Sequence, residues 1–145
     1  MIDSQDKNKI DFLKDLIAEA PIDSELRVHG FYMEVISKET FQKIFNLTDY
    51  NVRKTNSSYV IPLTVYYKTL LPDLIDAEGN GFINDIVHLD LFNKEERLFV
   101  SYDHMEFCAI LKGFFSDKLY KKINFDYKDL EIEISDKDKL FSMTW

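Results

Sequence analysis

Phe82-Ile-Asn-Asp-Ile-Val-His-Leu-Asp-Leu-Phe92, then Asn93-Lys-Glu-Glu96, then Arg97-Leu-Phe-Val-Ser-Tyr102 is the stretch on which the fold turns. Its flanks are rich in β-branched and aromatic residues, and the four polar residues between them suit a hairpin connection. Val87, Leu89 and Leu91 alternate with His88 and Asp90, which predicts one face against a core and the other toward water. Pairing Phe92 with Arg97, with no bulge, sets His88 opposite Ser101 and His104 near Asp85 at the start of the strand. A lone hairpin is marginal in water, so other segments must supply more strands and a covering layer.

Upstream, Asp6 to Ala20 predicts a helix. Ile10, Leu13, Leu16, Ile17 and Ala20 recur at helical spacing, Asp3 or Ser4 can cap it, and Pro21 ends it. Leu26 to Ile36 reads as a strand bent at Gly30, and Ser37 caps a short helix carrying Phe41, Ile44 and Phe45. Thr48 to Ser58 is polar and reads as a loop. Tyr59 to Tyr67 favours a strand, with Pro62 placing it at an edge or a bulge. A short helical turn follows around Leu70 to Ile75, broken or begun at Pro72.

Downstream, Met105 to Ile123 reads as helical, weakened at Gly113 and capped afresh at Ser116. Leu130, Ile132 and Ile134 alternate with Glu131 and Glu133, and Leu140 to Trp145 is expected to close a terminal hairpin. This order predicts an α+β fold: a single domain over residues 1–145, with a mostly antiparallel sheet packed against three or four helices.

Composition narrows the partners. The 145 residues are 46% hydrophobic, with twelve Phe and eight Tyr, enough for a packed core and unlike a disordered chain. Twenty-six acidic residues against eighteen basic ones leave a formal charge of −8. That balance argues against nucleic acid, which calls for a basic footprint, and against an anionic membrane surface. It favours basic partners, although plain solubility accounts for the same charge. The single cysteine, Cys108, excludes an internal disulfide and sits among apolar neighbours as a buried thiol. With no signal-peptide pattern and no membrane-length apolar run, the cytoplasm is the expected compartment.

Few motifs carry chemistry. Asp76-Ala-Glu-Gly-Asn-Gly-Phe-Ile-Asn84 resembles the first part of an EF-hand loop, with Asp76, Glu78 and Asn80 at oxygen-ligand positions and Gly81 at the sharp turn. Position twelve is Val87 where calcium needs a bidentate Glu, so a glycine-rich turn is the plainer reading. His88, Asp90, Asp103 and His104 offer a second candidate, a small hydrolytic or metal-dependent site, and a small-ligand regulatory module is a third. No dinucleotide, phosphate-loop, CxxC or GxSxG motif occurs.

Charge is unevenly placed. Thr69 to His104 holds eight acids against Lys94 and Arg97, Asp126 to Trp145 adds −3, and Lys38 to Lys68 contributes +3. Tyr66, Tyr67, Phe82, Phe92 and Tyr102 lie in or beside the acidic stretch. In this character (an acidic Asp73 to Glu96 tract, aromatic-rich strands, no catalytic motif) the chain resembles the immunity proteins of bacterial contact-dependent growth inhibition and related polymorphic-toxin systems. The resemblance implies an antitoxin that binds a cognate toxin domain, often a basic nuclease, and covers its active site without a cofactor. The expected partner-binding residues are Asp73, Asp85, Asp90, Glu95 and Glu96, in either a monomer or an oligomer. Failing these, the terminal hairpin with Glu131, Glu133 and Trp145 is the expected interface.

Overall fold

In a computed structural model, which describes residues 4–29, 53–54 and 59–144, the first helix α1, Ser4–Glu19, buries Ile10, Leu13, Leu16 and Ile17 along one side. Pro21 has no N–H and a fixed φ, so the helix stops. Strand β1, Ser24–His29, follows, with Leu26 and Val28 buried and Glu25, Arg27 and His29 half-buried. The other strands are β2 (Arg53–Lys54), β3 (Tyr59–Leu63), β4 (His88–Asn93), β5 (Glu96–Tyr102), β6 (Phe107–Leu111) and β7 (Ile132–Ser135). They form one sheet in the order β2-β3-β1-β4-β5-β6-β7, antiparallel throughout except for the parallel pair β6 and β7. With helices α2 (Val65–Glu78), α3 (Asn80–Asp85), α4 (Asp117–Asn124) and α5 (Lys137–Ser142), the fold is the expected α+β class, with five helices among the described residues.

The sheet is covered on both faces. Leu89 and Leu91 share their face with Leu26, Val28 and Phe99, and Phe12 of α1 meets the Phe99 ring edge-on at 5.7 Å. Helices α2 and α3 pack on α1, and Leu119 and Ile123 of α4 join the same core. Helix α5 lies on the opposite face, against β5 and β6. The expected wet face of β4 is corrected as well: Asp90, on that opposite face, is only 2% exposed. None of the described helices is long and apolar enough to cross a membrane.

Several boundaries differ from expectation for local physical reasons. The Phe92–Arg97 pair is as expected, but the register shifts between Leu91 and Phe92, so Leu89 faces Ser101 and the His88–Ser101 pair does not form. The connection is shorter than four residues, a turn at Lys94 and Glu95 with Lys94 at φ 58°. Phe82 to Asp85 is helical, because Phe82, Ile83 and Ile86 are spaced to bury one side of a short helix. Thr64 accepts the Tyr67 N–H at 3.3 Å and so starts α2 where the strand was expected to continue; Pro72 lies inside that helix.

Phe107 to Leu111 is a strand, and the helix expected from Met105 begins only at Asp117, capped by Ser116. Arg53 and Lys54 form β2 inside the expected loop. They pair only with Tyr59 and Val60, which leaves Pro62 on the sheet edge among the described residues. The terminal hairpin does not form, because Asp136 caps α5 and β7 pairs in parallel with β6. The expected strand beyond His29 and the Ser37-capped helix lie outside the described residues.

Candidate interaction surface

The five expected binding carboxylates do not share one face. Asp73 is exposed on α2, in the layer covering the α1 face, and Asp85 ends α3. Asp90 lies on the other face, with Oδ2 3.4 Å from Arg97 Nη2. Its Oδ1 has no hydrogen-bond partner among the described residues, and burial pushes its carboxyl up to about 6 despite Arg97 and Arg27 nearby. Arg97 Nη1 also donates to the carbonyls of Leu140 and Met143, satisfying acceptors left open where α5 ends. The Arg27 and Arg97 guanidiniums lie 4.2 and 5.2 Å from the centre of the Phe92 ring. Asp90 is thus part of a buried latch and is not available for steering. Glu95 and Glu96 do stand together, at the hairpin tip.

His88, Asp103 and His104 meet at the far end of the sheet, in and beside the β5–β6 turn. Asp103, His104 and Met105 all have positive φ (50°, 57° and 63°). The turn is pinned by the His104 N–H to the Val87 carbonyl at 2.9 Å and by His104 Nδ1, which donates to the Ile83 carbonyl at 3.0 Å. His88 Nδ1 accepts the Asp103 N–H at 3.4 Å, its ring packs edge-on against Tyr102, and burial lowers its pKa. Among the described residues, no three His, Cys, Asp or Glu side chains are grouped to hold a metal ion. The EF-like segment is divided between α2 and α3 at Gly79, and Asp76 is paired with Lys14 at 2.8 Å.

The opposite end of the sheet carries a feature no single window of sequence displays. Ser24 pairs with Leu63, Glu25 with Phe92, Asn93 with Glu96 and Leu111 with Ser135, so the connections beyond these residues all emerge at one end. Ile22, Val65, Tyr66, Phe114 and Phe141 are exposed there, five of the seven exposed large apolar side chains described. Asp23, Glu95, Asp117 and Asp138 are exposed on the same connections and helix starts, as are Lys94, Lys112, Lys118 and Lys137. Between the hairpin tip and α5 runs an open groove of about 570 Å³, lined by Asn93, Lys94, Glu95, Glu96, Lys137, Asp138 and Phe141. Lys137 is 3.5 Å from Glu96, whereas Glu95 and Asp138 have no ion-pair partner among the described residues. The chain matches no protein-family model, no curated protein and no solved structure.

Proposed function

We propose that the chain is a protein-binding antitoxin of the immunity type, which neutralises a cognate, cationic toxin domain such as a nuclease by covering its active site, in the cytoplasm and without a cofactor. The observation that carries this reading is the gathering of Ile22, Val65, Tyr66, Phe114 and Phe141 with carboxylates at one end of the sheet. Exposed aromatic anchors ringed by polar groups are how a protein partner is held, and complementary charge directs its approach. A formal charge of −8 favours a cationic partner over nucleic acid or an anionic membrane.

The test is co-expression with the product of the neighbouring gene. The reading expects a stoichiometric complex, loss of the toxin's activity in that complex, and restored growth of cells that make the toxin. A chain that neither co-purifies with that product nor restores growth contradicts it.

A further inference from the structure

We infer that the groove between the β4–β5 tip and α5 takes an arginine side chain of the protein partner. The inference rests on the binding role proposed above and identifies the group that is bound. The groove is concave, about 570 Å³, within the range of sites that hold a small ligand or a short peptide segment. Phe141 forms one wall and is 63% exposed, although its neighbour Leu140 is fully buried. An aromatic ring left uncovered beside a cavity offers its face to a planar cation.

The charges select the occupant. Glu96 is matched by Lys137, leaving Glu95 and Asp138 as carboxylates that no described residue neutralises; they lie on the two elements that form the groove. A guanidinium is flat and forked, suited to stacking on a ring while donating to carboxylates, whereas an ammonium is a point charge. The lining holds three carboxylates, Glu95, Glu96 and Asp138, against Lys94 and Lys137, so the groove keeps a net charge of −1.

The walls are already in place. Asp136 accepts the Lys139 N–H at 2.9 Å and fixes the start of α5, Arg97 holds its end, and Leu140 anchors its middle. The hairpin is fixed by its pairing with β1 on one side and β6 on the other. A preformed site loses less freedom on binding, and arginine is among the residues most often dominant in protein interfaces.

The experiment is an amide chemical-shift titration of the full chain with blocked Gly-Gly-Arg-Gly-Gly, against the Lys and Gln versions of the same peptide. The inference expects shifts centred on Asn93–Glu96 and Lys137–Phe141, with the Arg peptide about tenfold tighter than the Gln peptide. It also expects loss of this response in Phe141→Ala and in the double variant Glu95→Gln, Asp138→Asn, both at exposed positions that leave the fold intact by circular dichroism. No response at these segments, or an Arg response that survives both variants, overturns it. Failure of the two proposals is distinguishable. A neighbouring-gene product bound equally well by the folded variants removes the groove and leaves the antitoxin; an Arg response without any neutralised partner does the reverse.

Discussion

Asp90 sits with one carboxylate oxygen 3.4 Å from Arg97 and the other unpartnered among the described residues, and burial outweighs the attraction of Arg97 and Arg27 to hold its carboxyl at about 6. Its folded value lies above its ordinary 3.8, so the carboxyl's contribution to stability is full below that value and is lost as pH rises through about 6. Asn is the isostere of the protonated acid. Asp90→Asn is therefore expected to be more stable than the parent at pH 7.5, by ~1–2 kcal/mol, with the difference shrinking toward pH 4. Urea midpoints across that range check this, and an Asn variant that is less stable at pH 7.5 contradicts it. Cys108 is fully buried on β6, and burial pushes its thiol up to about 12. Labelling with an aromatic disulfide should be slow in the native chain and complete in denaturant; rapid native labelling reopens Cys108 as a nucleophile.

Helix α5 joins the sheet's second face to the groove, and one side chain holds its end. Arg97→Ala removes the donor to the Leu140 and Met143 carbonyls and leaves Asp90 buried without its nearest cation. The expected cost is about 3 kcal/mol, with faster hydrogen exchange over Lys137–Ser142; an unchanged midpoint sinks the latch. At this scale the sequence was partly legible. Alternation over Val87–Leu91 and the Phe92–Arg97 pair were readable, because period two and a polar connection mark a hairpin. The register shift was not, since nothing in Arg97-Leu98-Phe99 distinguishes an extra residue. Phe107–Leu111 reads as helix in the sequence, because a short apolar run fits either period. Val65–Tyr67 reads as strand from its β-branched and aromatic residues, but tertiary packing overrides that local preference: Tyr67 is buried within α2. Alternation around Asp90 predicts a wet face, because period two tells which residues share a face and not whether distant segments cover it.

For the whole molecule, net charge was readable from composition, and its placement was not. The linear acidic tract is distributed over α2, the buried face of β4 and the hairpin tip, and only Glu95 and Glu96 of the expected set enter the candidate surface. Ile22, Tyr66, Phe114 and Phe141 come from separate segments, and strand pairing alone brings their connections to one end. Charge reversal as a test therefore belongs at Glu95 and Asp138, because a lysine at Asp90 would be buried beside Arg97 and damage the fold. The most direct measurement is the association rate of the neighbouring-gene toxin with the parent chain and with the double variant Glu95→Lys, Asp138→Lys, over a salt series with circular dichroism as the folding control. Binding of a cationic partner at this surface predicts association slowed about tenfold or more at low salt, with a flatter salt dependence and the gap closing as salt rises. A folded double variant that associates at the parent's rate at every salt concentration contradicts it.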